Sequence, residues 1–163
     1  MPLLRHRLQN IFDENLLKEK EKGNLFWKIC YLNISSLRTK QQEVSNDNYL
    51  LDSDIFSLGE THLMPGETVN FPGYIGHYAS SGQWRGTVVY SKMTLCAQSS
   101  IVITENYTAI LTKTIEFDII FLYISKSFDQ DSFLTQIDSW VDNAKPTAVI
   151  GDVNWDFSKN TVM

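Results

Sequence analysis

Short β-prone runs follow one another along most of the chain, and this pattern limits the possible folds more than any other feature. The runs cover residues 25–33, 54–59, 74–78, 86–91, 95–104, 107–115, 117–125 and 147–151. Residues that favour turns, or a single charged residue, separate most of the runs from 74 onward, and this spacing is typical of β-hairpins. The pattern predicts sheets in which most neighbouring strands are antiparallel.

Two segments interrupt the strands with apolar residues at helical spacing. The first follows Ser35 and Ser36, either of which can cap a helix. Its inner positions are Leu37, Val44, Tyr49 and Leu50. The second begins after Asp129 or Asp131, ends near residues 145–146, and has as its inner positions Phe133, Leu134, Ile137, Trp140 and Val141. A strand-helix-strand start, a run of strands, and a final helix and strand together indicate an α/β fold.

Length and composition favour one domain. The chain has 163 residues, of which 43% are hydrophobic and 20% charged, so disorder is excluded for most of it. Residues 1–23 are polar and rich in charge, and we expect either a solvated helix or a linker from a neighbouring module. The domain itself is expected to cover residues 24–163.

Several features indicate an intracellular protein, in the nucleus or the cytoplasm. The longest apolar run, residues 119–124, is too short to span a bilayer, so no membrane partner is expected. The first residues lack the apolar core and cleavage site of a signal peptide. Cys30 and Cys96 have no metal-binding spacing and fall in apolar runs, which predicts two buried free thiols in a reducing compartment.

The net charge of −5 argues against tight coating of DNA by charge alone. It does not exclude a nuclease, because carboxylates that hold a divalent cation add negative charge to such a site.

Polar residues follow three of the predicted strands where those strands end: Asn33, Glu60, Asp152 and Asn154. Side chains at strand ends are the ones that reach a shared cleft, and Asp152 and Asn154 are two apart, so they project the same way from an extended chain. Glu60 and Asp152 could supply the one or two carboxylates that Mg²⁺ accepts. The alternative is that all are ordinary turn residues, which Asp and Asn favour.

Four segments of the sequence also resemble the motifs of a known family. They are residues 32–38 (Leu-Asn-Ile-Ser-Ser-Leu-Arg), 54–63 (Asp-Ile-Phe-Ser-Leu-Gly-Glu-Thr-His-Leu), 85–91 (Arg-Gly-Thr-Val-Val-Tyr-Ser) and 151–157 (Gly-Asp-Val-Asn-Trp-Asp-Phe). In this order they resemble motifs of the endonuclease/exonuclease/phosphatase superfamily, which has the DNase I-like fold. Within this superfamily they resemble the endonuclease domains of retrotransposons and Helitron-type mobile elements, and the resemblance extends over residues 26–157.

The resemblance implies an α/β sandwich of mixed, mostly antiparallel sheets that hydrolyses phosphodiester bonds in DNA with Mg²⁺ or Mn²⁺. It makes Glu60 the metal ligand and Asn33 an aid to the metal or the phosphate. Asp152 would orient or deprotonate the attacking water, and Asn154 would bind the phosphate. Tyr123 corresponds to a tyrosine that touches the phosphate, although it could also be an ordinary half-buried strand residue.

The sequence departs from the family pattern at its end. The family continues to a late aspartate and a Ser-Asp-His segment, and neither follows residue 157 here. We therefore expect a C-terminally truncated domain with impaired activity and with a sheet edge exposed to self-association. An inactive remnant or interaction module is the alternative. A phosphatase acting on inositol phosphates or lipids is a further one, although Trp155-Asp156 stands where those relatives have Tyr-Arg.

Overall fold

Two four-stranded sheets form the body of the protein in the computed structural model, which describes residues 26–81, 85–124, 130–141 and 144–154. The elements are β1 (Ile29–Asn33), α1 (Leu37–Ser45), α2 (Asn48–Leu51), β2 (Ile55–Gly59), β3 (Tyr74–Ala79), β4 (Thr87–Lys92), β5 (Gln98–Ile103), β6 (Tyr107–Lys113), β7 (Asp118–Ile124), α3 (Gln130–Trp140) and β8 (Thr147–Asp152). The predicted strands are therefore present. The predicted lead-in, residues 1–23, lies outside the described residues.

The strand order is β1-β2-β4-β3 in the first sheet and β5-β6-β7-β8 in the second. The β1–β2 and β7–β8 pairs are parallel, and the other four pairs are antiparallel. Each parallel pair is joined by a segment that contains a helix, as parallel connections require. The predicted α/β sandwich with mainly antiparallel pairing is confirmed.

The apolar core between the sheets follows from the alternation of side chains along each strand. It consists of Ile55, Ala79 and Val89 from the first sheet and Ile110, Ile119 and Phe121 from the second. Each of these residues is fully buried. Because β2 is buried on both faces, all five of its residues are excluded from solvent.

Helices cover the outer faces of the sheets. On the first sheet, Phe56 and Leu58 pack against Leu37 and Val44 of α1 and Leu50 of α2. On the second sheet, Ile137 and Trp140 of α3 and the following Val141 pack against the outer side chains of β6 and β7. Among the described residues, no helix is long and apolar enough to cross a membrane.

The first helical segment differs from the prediction of one capped helix. It is broken at Asn46, and the Asp47 carboxylate accepts hydrogen bonds from the amides of Tyr49 and Leu50 to start α2. This local capping competes with continuation of α1. Ser36 occupies the N-cap position of α1, as predicted, but its side chain makes no capping hydrogen bond.

Two predictions of burial are also wrong. Cys30 is a buried free thiol, but Cys96 is exposed, because it follows a short 3₁₀ turn (Met93–Leu95) in a left-handed conformation and lies before β5. Leu134 of α3 was expected to face inward, yet half of it is exposed.

Candidate active site

The predicted site residues lie at one end of the sandwich. There, positions that are aligned across each sheet carry polar side chains or directly precede a polar residue. Across the first sheet the register aligns Asn33, Gly59 and Thr87. Across the second sheet it aligns Thr108, Tyr123 and Asp152. Side chains at aligned positions project from the same face of a sheet, and here that is the face toward the other sheet. Glu60 directly follows Gly59, so the two sheets bring the predicted carboxylates to the same end.

Two hydrogen bonds join these rows across the sandwich. The Asn33 side-chain amide donates to Asp152 Oδ2 at 3.1 Å. The hydroxyl oxygens of Thr87 and Thr108 lie 3.1 Å apart in a buried contact. The structure thus brings Asn33 and Asp152, which are 119 residues apart, into direct contact.

The Asp152 carboxylate is held by a donor on each oxygen. Asn33 donates to Oδ2, and the backbone N–H of Asn154 donates to Oδ1 at 3.2 Å. The Asn154 side-chain amide in turn donates to the carbonyl of Ile124 at 2.9 Å. Because a carboxylate can accept about four hydrogen bonds, these two leave capacity for further donors.

The Asn33 side chain is fixed at both ends. Its oxygen accepts a hydrogen bond of 3.3 Å from the backbone N–H of Ser35, while its nitrogen faces Asp152. In this orientation Asn33 acts on Asp152 as a hydrogen-bond donor. To bind a cation, its oxygen would have to give up or share the bond from Ser35.

The Glu60 segment is held in an uncommon backbone conformation. Positive φ angles occur at Ser35, Ser36, Glu60, His62 and Asn154. Among the described non-glycine residues with positive φ, Cys96 is the one that lies elsewhere. Such residues persist where the surroundings over-determine them, and they cluster at functional sites.

Backbone hydrogen bonds provide this restraint. The Ser36 amide donates to the Glu60 carbonyl at 2.8 Å, and the Leu37 amide donates to the Thr61 carbonyl at 2.9 Å. The Thr61 amide donates to the Gly86 carbonyl at 3.3 Å. The residues after β1, after β2 and before β4 are therefore tied together beneath the site.

The charges of Glu60 and Asp152 act on the phenol of Tyr123. Burial raises the pKa of the Tyr123 phenol, the negative charges of Glu60 and Asp152 raise it further, and the positive charge of Arg85 opposes them. Tyr123 is therefore neutral at physiological pH and can donate a hydrogen bond. Since both carboxylates influence this hydroxyl, they belong to one electrostatic environment.

Two residues near the site carried no predicted role. Tyr31 stands two positions before Asn33 on β1, and burial followed by the charge of Asp152 raises the pKa of its phenol. The alternation of side chains on a strand was the signal that could have identified it. Arg85 begins the motif-like segment 85–91, and it donates to the Glu105 carbonyl at 2.6 Å.

The donor set suits a hard divalent cation. Mg²⁺ is usually bound through one or two carboxylates, with water and phosphate oxygens completing its octahedron. Glu60 and Asp152 match this pattern. Within the described ranges, no three His, Cys, Asp or Glu side chains come together as a group that could hold a metal, so a closed zinc site is not formed there.

No protein-family model and no curated protein sequence matches the chain. Solved structures do match it. An AP endonuclease from Archaeoglobus fulgidus has a TM-score of 0.55 and 20% identity, over 78% of this chain and 57% of the endonuclease. The 3′ phosphatase NExo from Neisseria, bound to a product DNA hairpin, has a TM-score of 0.55 and 16% identity, over 79% and 58% of the two chains. The endonuclease domain of TRAS1, a telomere-specific non-LTR retrotransposon, has a TM-score of 0.55 and 14% identity, over 81% and 62%.

These similarities confirm the DNase I-like fold of the endonuclease/exonuclease/phosphatase superfamily that the motifs resemble. At such low identity they establish the fold alone. The chain spans about three fifths of the length of these structures.

Gly151 allows β8 to approach β7 closely just before Asp152, and replacing Gly151 should lower the stability of the fold. A Cβ at position 151 would overlap the Leu122 carbonyl oxygen on β7 and lie 2.8 Å from its carbon. Gly151→Ala should therefore push β8 away from β7 and lower the free energy of unfolding by about 2–3 kcal/mol. Urea denaturation measures the change.

Gly66→Ala is the matched control for this substitution. Gly66 has a φ of 86°, and a Cβ there would meet no atom within 4 Å, so only backbone strain of about 1 kcal/mol is expected. Equal losses of stability in the two variants would contradict the close approach of β7 to Gly151.

Proposed function

We propose that this chain carries a Mg²⁺- or Mn²⁺-dependent phosphodiesterase site, of the DNA endonuclease type found in mobile elements. The observation that carries the proposal is the meeting of Asp152 with Asn33, at the end of the sandwich where Glu60 also lies. The names of two matched structures, an AP endonuclease and a retrotransposon endonuclease, add support for DNA as the substrate. We place the protein inside the cell, in keeping with its free thiols at Cys30 and Cys96.

In this proposal Asp152 acts on the attacking water. Its carboxylate is oriented by Asn33 and by the Asn154 amide, so it keeps a fixed direction while it accepts a hydrogen bond or a proton from the water. Fixed orientation matters because a preorganised group needs no rearrangement when the bond is broken.

Three side chains would contact the phosphate. The neutral Tyr123 phenol donates a hydrogen bond to a phosphate oxygen, and Arg85 supplies positive charge near it. One N–H of the Asn154 amide is used by the Ile124 carbonyl, which leaves the second N–H for the phosphate.

Glu60 and Asp152 would hold the cation, with Asn33 as an adjacent aid. When bound, Mg²⁺ supplies stabilisation of the negative charge that develops on the phosphate. The cation also neutralises two carboxylates that would otherwise repel each other in one site.

The first test of this proposal is stabilisation by metal. A cation that binds the folded state stabilises it by mass action, by about 1.4 kcal/mol at ten times its dissociation constant. Thermal melts should therefore show a melting temperature that rises with Mg²⁺ or Mn²⁺ in the wild type and hardly changes in Glu60→Gln.

Asp138→Asn, on the exposed side of α3, removes the same charge away from the site and should keep the metal response of the wild type. A melting temperature in the wild type that saturating metal leaves unchanged would eliminate the shared site.

We further propose that the 163-residue polypeptide alone cleaves DNA weakly. It contains no Ser-Asp-His segment, and in the family that the motifs resemble, this segment stabilises charge on the phosphate. Losing one preorganised donor typically lowers a rate by about a hundred- to a thousand-fold, and the remaining residues do not act additively. We expect little nicking of supercoiled plasmid with Mg²⁺ or Mn²⁺.

Asp152→Ala serves as the control in this assay. Nicking by the wild type that is lost in Asp152→Ala would show that the chain is an enzyme by itself. An inactive remnant or interaction module, the alternative function, predicts identical results for both proteins even when metal binds.

Self-association through a sheet edge is the last part of the proposal. In the described residues, β1 and β8 each pair with one neighbour and face each other across the sandwich, and Val149 on β8 is 45% exposed. Unpaired backbone groups on such edges can pair with another chain. Gel filtration should show an apparent size that grows with concentration, and Val149→Lys should reduce this growth. A wild type that elutes as a monomer at every concentration would contradict this part.

A further inference from the structure

The Tyr31 hydroxyl is a buried polar group that the proposed mechanism does not use. Its oxygen is buried and has no hydrogen-bond partner among the described residues. Other tyrosines of the first sheet differ in this respect. Tyr74 donates to the carbonyls of Leu51 and Ser53 at 2.7 and 2.6 Å, and Tyr90 donates to the Val69 carbonyl at 2.7 Å.

The hydroxyl lies at the same end of the sandwich as the two carboxylates, beside Gly59, which precedes Glu60. Tyr31 is on the same face of β1 as Asn33, and its neighbour in register is Ser57 of β2. The negative charges of Asp152 and Glu60 both act on the phenol, as does the neighbouring Tyr123. The backbone amide of Asp152 also influences the phenol oxygen, although the two do not reach hydrogen-bond geometry.

Gly59 provides the space that Tyr31 occupies. A Cβ at position 59 would overlap the Tyr31 hydroxyl oxygen and lie 3.1 Å from Cζ. Any other residue immediately before Glu60 would therefore displace the phenol. The Tyr31 hydroxyl thus occupies the space that a side chain at position 59 would take.

An unpaired buried hydroxyl lowers stability, whereas phenylalanine would fill nearly the same space without that cost. A tyrosine that serves only packing would be poorly suited to this position. The carboxylates of Glu60 and Asp152 are hydrogen-bond acceptors at this end of the sandwich. The Asp152 carboxylate retains acceptor capacity beyond its bonds from Asn33 and Asn154.

We propose that Tyr31 is a positioning residue, whose hydroxyl donates its one proton to a water molecule that in turn donates to the carboxylates of Glu60 and Asp152, and so orients them toward the cation. This inference rests on the proposed metal site. Residues that support metal ligands in this way typically change affinity by about 10- to 100-fold when they are replaced.

The test compares Tyr31→Phe with Tyr74→Phe, which also removes one phenolic hydroxyl. Two quantities are measured for the full chain: the melting temperature without metal, and the Mn²⁺ dissociation constant, from the free Mn²⁺ signal in electron paramagnetic resonance. Glu60→Gln identifies the part of the Mn²⁺ binding that belongs to the site.

Tyr31→Phe should melt at the same temperature as the wild type or a few degrees higher, and should bind Mn²⁺ about tenfold more weakly. Tyr74→Phe should show the opposite pattern. Loss of the Tyr74 hydroxyl leaves the Leu51 and Ser53 carbonyls without their donor. The melting temperature of Tyr74→Phe should therefore fall, while its Mn²⁺ affinity stays that of the wild type.

Mn²⁺ binding that depends on Glu60 but is equal in the wild type and Tyr31→Phe would overturn the role of Tyr31 and leave the metal site standing. A fall in melting temperature on Tyr31→Phe as large as that of Tyr74→Phe would also overturn it, since the hydroxyl would then be structural. Absence of Glu60-dependent Mn²⁺ binding in the wild type would overturn the metal site and, with it, the role of Tyr31.

Discussion

Face-to-face packing of the two sheets is the interaction on which the rest of the structure depends. Ile55 and Val89 of the first sheet and Ile110 and Phe121 of the second form an apolar cluster at this interface. At one end the same inward positions become polar, and hydrogen bonds replace apolar contacts. The buried hydroxyls of Thr87 and Thr108 are tolerated there because they pair with each other across the interface. The sandwich thus holds polar side chains from both sheets at fixed positions, which a single sheet could not do.

At this end of the sandwich, several features of the site lower the stability of the fold. The residues around Glu60 include several left-handed non-glycine conformations, and Tyr31 buries a hydroxyl without a partner. Each of these features costs free energy, and the backbone hydrogen bonds between residues 36–37, 60–61 and 86 hold the strained segment in place. The clustering of left-handed non-glycine residues where two carboxylates lie is the pattern expected of a site kept for chemistry.

The fold and the site carry different information about function. The DNase I-like fold is shared with a nuclease, a 3′ phosphatase and a retrotransposon endonuclease, so the fold by itself does not select one reaction. The selective information lies in side chains. Two carboxylates, an oriented Asn33 and a neutral Tyr123 suit an oxygen-bound cation and a phosphate group. Arg85 adds positive charge near Tyr123 in a chain whose net charge is −5.

Local pattern in the sequence was sufficient for most of the secondary structure. Alternation and turn residues located the strands, and the polar residues predicted at strand ends, Asn33, Glu60 and Asp152, lie at one end of the sandwich. The same local evidence failed at Cys96, because the strand it was assigned to begins two residues later, and at Asn46, where capping by Asp47 divides a helix. Both failures concern short-range competition between backbone hydrogen-bond partners, which periodicity does not record.

Tertiary structure alone decided which polar residues meet. Asn33 and Asp152 are 119 residues apart, and only the register of β1 with β2 and of β7 with β8, together with the packing of the sheets, brings them within 3.1 Å. The position of the Tyr31 hydroxyl depends in the same way on the neighbouring strand, which has no side chain at Gly59. A sequence determines which residues can lie on one face of a strand, because that follows from bond geometry along the chain. Which faces oppose each other depends on pairing between distant strands, and that is settled when the whole core packs.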